Sequence, residues 1–157
     1  MSRDEELEER YDAMMRVAYR AAYRLLGQRA AAEDVAAEAL ARAYSRWRSV
    51  QEHAEPWVVT VATRLALDVV RAGKRASSSR HMLVEDDVVP DPNVDLRLDL
   101  QRALAALPRR QREVVALRFL GDFSEQQTAA ALGLTPGTVK SHSSRGLAKL
   151  RLVLEGV

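Results

Sequence analysis

Between Ala31 and Trp47, apolar side chains recur every fourth residue at Val35, Ala39, Ala43 and Trp47, while Asp34, Glu38 and Arg42 recur at the same interval on an outward face. That period lays an apolar stripe along one side of a helix and a charged row along another. Helical periodicity extends over most of the chain. It predicts a first helix from about Glu5 to Leu26, stopped by Gly27, a second from about Ala30 to Trp47, and a third from Pro56 to about Arg75. A polar loop is expected between Arg48 and Glu55. Three helices with short connections make one bundle. From Ala76 to about Asn93 the period dissolves into serine-, acid- and proline-rich stretches that carry Glu85, Asp86, Asp87 and Asp91, the composition of a flexible linker. A fourth helix is predicted from about Val94 to Ala106, and Pro108 then starts a C-terminal block.

That block carries the most specific local signals. Ser124 followed by Gln127 is a capping box that starts a short helix. Ala129 is small where two helices must approach, and Gly133 permits the positive φ of a tight turn. Thr135 as N-cap with Pro136 at the first helical position starts a second helix. Thr138, Lys140, Ser141, His142, Ser144 and Arg145 lie in its exposed N-terminal half, and Val139, Leu147 and Leu150 are expected on its buried side. Side chains of those types and lengths reach base edges and phosphates in a major groove. The order of the signals is that of a DNA-reading helix-turn-helix, and a small helical bundle with a solvated basic face does not account for it.

Composition narrows the picture further. With 157 residues, 47% of them apolar and alanine-rich, the chain is expected to form an all-α protein of two small helical domains, each building its own modest core. The expected boundaries are 1–75 for the bundle, 76–93 for the flexible acidic linker and 94–157 for the helix-turn-helix domain. There is no cysteine, which excludes disulfides, thiolate zinc sites and thiol sensing. The acidic start, MSRDEELEER, does not read as a signal peptide. The most apolar window, Trp57 to Val70, is interrupted by Arg64 and Asp68 and is too short for a bilayer. A reducing cytoplasm is the expected compartment, without membrane insertion. The net charge of +2 hides an asymmetry, because nine Lys and Arg face five acids from Asp99 onward. The C-terminal part suits a polyanionic partner.

The order of these pieces resembles the extracytoplasmic-function, or group IV, sigma factors of bacterial RNA polymerase, and the resemblance covers nearly the whole chain. AAEDVAAEALARAYSRW looks like the family's core-binding helix. The resemblance implies that Asp34, Glu38 and Arg42 bind core polymerase. PWVVTVATRLALDVVRAGKR is similar to the promoter-melting helix, with Trp57, Ala62, Asp68 and Arg71 at matching positions and Arg64 where an asparagine is common. It implies −10 contacts at Gln51, His53, Thr60, Thr63, Arg64, Arg71, Lys74 and Arg75. The chemistry agrees, since strand separation needs cations along the single-strand backbone and a pocket for an unstacked base. LPRRQREVVALRFLGDFS and TPGTVKSHSSRGLAKLR resemble the supporting and recognition helices of the −35 reader. They imply contacts at Thr135, Gly137, Thr138, Lys140, Ser141, His142, Ser144 and Arg145. Thr128, His142 and Ser143 depart from the family's usual isoleucine, arginine and aliphatic residue. The acidic linker is implied to thread toward the polymerase's RNA path.

The implied partners are bacterial RNA polymerase core, promoter DNA and an anti-sigma protein, with no cofactor and no metal. A few phosphate contacts per domain give weak, salt-sensitive binding, and tethering both readers on one partner multiplies it. Three other readings share parts of this pattern. A stand-alone LuxR-type regulator carries a similar helix-turn-helix, but the strand-helix alternation of a receiver domain is missing from the first ninety or so residues. An enzyme would need a nucleophile with its base or a glycine-rich phosphate loop, and neither is visible. His53, His81 and His142 are scattered, and His81 with Glu85 falls in the expected linker, where no helix would align them as metal ligands. A polymerase adaptor without promoter specificity is the third.

Overall fold

Helix starts and stops follow local chemistry. The Ser2 hydroxyl accepts from the Glu5 amide at 3.2 Å while the Glu5 carboxylate accepts from the Ser2 amide at 2.8 Å, which starts α1 (Arg3–Leu26). After Gly27 follow α2 (Arg29–Ser45), a single turn α3 (Trp47–Val50), a 3-10 turn (Gln51–His53) and α4 (Ala54–Ala76). The C-terminal part holds α5 (Val94–Ala106), α6 (Arg109–Val115), α7 (Glu125–Leu132) and α8 (Pro136–Glu155), and α6 runs on through a π-helical turn over Ala116–Leu120. This computed structural model describes residues 1–76 and 92–156, with side chains at 74–76 outside that description. No strand occurs among the described residues, so the all-α expectation holds. Residues 77–91 of the expected linker, with the acids Glu85, Asp86, Asp87 and Asp91 and with His81, lie outside the described residues.

The polar stretch after Arg48 differs from expectation. It is not an irregular loop, because Trp47 and Val50 are both buried and pin a helical turn to the core. The third long helix begins at Ala54, and Pro56 sits in its first turn, where a missing amide costs no intrahelical bond.

The two blocks do not keep separate cores. Met14, Ala18 and Leu25 of α1, Val35 and Ala39 of α2, and Val58, Ala62 and Ala66 of α4 pack in one cluster with Leu104, Leu107, Ala116 and Leu150 from the C-terminal block. Many of these positions are alanine, which lets helices approach closely. A second cluster joins Ala21 and Val59 to Val114, Leu117, Phe123, Leu132 and Val139. Each fully buried leucine, valine or methionine here contributes about 1.5–3 kcal/mol. Polar ties reinforce the seam. Arg24 Nη1 donates to the Leu120 carbonyl at 2.6 Å and to Asp122 Oδ2 at 2.8 Å, and Gln101 Nε2 donates to the Leu25 carbonyl at 2.7 Å. Among the described residues, no helix is long and apolar enough to cross a membrane.

Candidate nucleic-acid interface

The α7–α8 unit is built as its sequence predicts. The Ser124 hydroxyl accepts from the Gln127 amide at 3.0 Å, and the Gln127 side-chain oxygen accepts from the Ser124 amide at 2.8 Å. Gly133 ends α7 at φ 67°, and the Leu134 amide returns to the Ala129 carbonyl at 2.9 Å. The Thr135 hydroxyl accepts from the Thr138 amide at 3.1 Å, with Pro136 opening α8. The inner stripe of α8 is Val139, Ser143, Gly146 and Leu150, all buried. Leu147, expected inside, is 36% exposed. The reason is the closeness of α6 to α8, since a Cβ placed on Gly146 would lie 2.6 Å from Val115 Cγ2. A glycine is therefore the contact residue, and the leucine turns outward.

On the other side of α8, Lys140, Ser141, Ser144 and Arg145 are exposed, with Thr135 and Gly137 exposed at its start and Thr138 and His142 half-buried. Neither Lys140 nor Arg145 makes an ion pair among the described residues, so both charges are available to phosphate. The amides at the start of this 20-residue helix add positive potential at the same end. Two atoms on this helix are buried without a partner, Ser143 Oγ and His142 Nδ1. The hydroxyl of Ser143 thus does not bond back into the helix. Thr128, fully buried, does so, donating to the Ser124 carbonyl at 2.8 Å.

On α2, Asp34, Glu38 and Arg42 are all exposed along one face, and Arg42 Nε lies 3.0 Å from Glu38 Oε1. The inward stripe is also as expected, with Val35, Ala39, Ala43 and Trp47 buried. The Trp47 indole N–H donates to Glu6 Oε2 at 2.9 Å, which fixes it as a core residue.

The α4 positions divide. His53 is exposed and Gln51 and Arg71 are half-buried. Thr60 and Thr63 are buried, and the Thr60 hydroxyl donates to the Pro56 carbonyl at 2.9 Å, so neither offers a free hydroxyl to DNA in this arrangement. Helix α4 turns that side of itself into the packed bundle. Arg64 is engaged by Glu113, with Nε 2.6 Å from Oε2. The side chains of Lys74 and Arg75 lie outside those described.

Beside Arg64 runs a cleft of about 920 Å³ between the blocks, lined by Arg42, Arg46, Arg64, Arg71, Arg109 and Arg112 against the acids Asp68 and Glu113. Glu113 is nearly inaccessible; it also accepts from Arg110 Nη1 at 3.4 Å and forms an ion pair with Arg109, whose Nε lies 3.5 Å from Oε1. Arg112 is buried and donates to the carbonyls of Leu104 and Leu107, at 3.1 and 2.7 Å. Burial, and next the Arg71 charge, lower its pKa, although an arginine so shifted still carries its proton at neutral pH. Sequence reasoning missed Arg46, Arg112 and Glu113 as site residues. The spacing of Arg109 and Arg110 to Glu113 was the available signal. No group of acids and histidines that could hold a metal ion occurs among the described residues.

Comparison with known proteins covers both blocks. The model of Sigma-70 region 2 matches residues 10–76, and that of Sigma-70, region 4 matches residues 97–150. The ECF RNA polymerase sigma factor SigE of Mycolicibacterium smegmatis is 39% identical over 85% of this chain, which spans 55% of that protein. The RNA polymerase sigma-E factor of Streptomyces coelicolor is 35% identical over 94% of this chain and 83% of its own length. Among solved structures, the sigma factor RpoE in complex with the anti-sigma factor NepR from Bartonella quintana superposes with a TM-score of 0.62 at 24% identity, covering 95% of this chain and 96% of that one. That likeness is one of fold, and it extends over both blocks.

Proposed function

Because this chain belongs to the sigma-70 family, in its extracytoplasmic-function branch, and is by that membership an RNA polymerase sigma factor, we propose a division of its labour among the three faces described above. Helix α8 reads the upstream promoter element, with Lys140, Ser141, Ser144 and Arg145 toward the major groove and Thr135, Gly137, Thr138 and His142 at its margin. The α2 face of Asp34, Glu38 and Arg42 grips core polymerase through charge complementarity. The cationic side of α4, with Arg64 and Arg71, follows the melted strand near −10, and His53 and Gln51 border the base pocket.

The observation that carries this reading is the separation of faces on α8. A buried stripe fixes the helix to α6 and α7, and its opposite face presents unpaired cations and hydroxyls. The free chain binds promoter DNA poorly, since its phosphate contacts are few and Arg64 is held by Glu113. Seating both blocks on polymerase frees Arg64 and makes the second DNA contact effectively intramolecular. The chain works where polymerase works, in the cytoplasm. An anti-sigma protein that covers either DNA face would silence it, a partner supported by the fold likeness to RpoE held by NepR.

Footprinting of promoter fragments with and without core polymerase tests the reading. Protection of both elements only in the presence of core is expected. Equal protection by the chain alone would favour a stand-alone regulator, and polymerase association without any footprint would favour an adaptor.

A further inference from the structure

The cleft between α4 and α6 holds more positive charge than its own acids neutralise. Glu113 is engaged by Arg64, Arg109 and Arg110, and Arg42 is paired with Glu38 on α2. Arg46 and Arg71 make no side-chain hydrogen bond or ion pair among the described residues. Arg112, 6% exposed, spends Nε and Nη2 on two carbonyls, which are uncharged acceptors. Three guanidinium groups therefore border one space, with the exposed Asp68 as the remaining acid. Apolar walls from Trp57, Val61 and Leu65 close the space on the α4 side and strengthen any charge interaction inside it. Its volume, about 920 Å³, falls in the range of about 300–1,000 Å³ typical of small-molecule sites.

Like charges gathered against a partly apolar wall are unfavourable alone and favourable around a multivalent anion, and guanidinium groups match phosphate oxygens geometrically. We propose that this cleft binds a small ligand carrying two or more adjacent phosphates, anchored by Arg46, Arg71 and Arg112. Two sources share that chemistry, a nucleoside polyphosphate and an inorganic polyphosphate, and the half-buried Trp57 offers a stacking surface to the base of the former. Arg71 stands on α4 and Arg112 on α6, so the ligand bridges the blocks and favours their packed arrangement over a separated one. Its consequence for transcription rests on the sigma-factor reading, whereas the binding itself does not.

The test is calorimetric titration of the full chain with tripolyphosphate and with GTP, in magnesium-free buffer at about 150 mM salt. Saturable one-site binding of tripolyphosphate is expected. Arg46→Gln and Arg71→Gln should each weaken it about tenfold, and neither removes a contact on which folding depends, which far-UV circular dichroism would verify. Arg151→Gln removes the same charge from the exposed end of α8 and should leave the affinity within about twofold. Tighter binding of GTP with quenching of tryptophan fluorescence identifies a nucleotide as the ligand, and equal or weaker binding identifies the inorganic form. Absence of saturation up to millimolar tripolyphosphate would overturn the proposal. So would an Arg151→Gln loss equal to the others, which marks diffuse attraction, or GTP binding without tripolyphosphate binding, which removes the phosphates as anchor.

Discussion

Arg64 Nε lies 2.6 Å from Glu113 Oε2, joining the helix expected to follow melted DNA to α6 of the helix-turn-helix domain. Glu113 is 4% exposed and also faces Arg109 and Arg110, so one carboxylate organises three guanidinium groups at the seam. Its replacement leaves those charges facing one another without a counter-ion. Glu113→Gln should destabilise the chain by about 1–3 kcal/mol, read as a lower urea midpoint. Arg109→Ala, at the most exposed of the three partners, should change it by less than about 0.5 kcal/mol. An unchanged midpoint for Glu113→Gln would mean that the seam does not depend on this carboxylate.

Gly146 sits where α8 meets α6, and an added methyl would lie 2.6 Å from Val115 Cγ2. Alanine improves helix propensity by about 1 kcal/mol at an ordinary position. Here the clash should reverse the sign, with a net loss of about 1–3 kcal/mol in thermal unfolding of Gly146→Ala. Stabilisation by that substitution would show that the two helices stand farther apart.

Ser143, four residues after Val139 on the same buried stripe, carries a hydroxyl with no partner. An unsatisfied buried polar group costs about 1–3 kcal/mol, so Ser143→Ala should stabilise the chain by up to about that amount, read as a higher unfolding midpoint. A lowered midpoint would reveal a hydrogen bond to this hydroxyl.

How much of this was legible in the sequence depends on range. The caps at Ser124 and Thr135, the turn at Gly133 and the outward row Asp34, Glu38 and Arg42 rest on contacts within four residues, and all stand where the pattern places them. On the inner face of α8 hydrophobicity points to Leu147, whereas the closeness of α6 selects glycine and serine. The stretch after Arg48 looked like a loop because polar residues dominate it, yet Trp47 and Val50 suffice to anchor a helical turn. Thr60 and Thr63 were placed on DNA by resemblance, and local periodicity alone did not assign them to the buried side of α4. The seam itself was illegible. Arg64 and Glu113 are 49 residues apart, and nothing local to either residue announces the other.

Two substitutions separate the proposed faces. Arg145→Ala should weaken binding of the polymerase complex to the upstream element and reduce the slope of log affinity against log salt by about 0.9, leaving association with core unchanged. Asp34→Lys should do the reverse, weakening core association in a co-elution assay by placing an opposite charge on the gripping face. Loss of both activities in either variant would contradict the separation.

Whether this chain directs polymerase to promoters is answered by run-off transcription. Purified chain is mixed with sigma-free bacterial core polymerase on fragmented genomic DNA. Discrete transcripts that require both components are the predicted result. A pattern no different from core alone, with no co-elution of chain and polymerase, would mean that this chain does not direct polymerase to promoters.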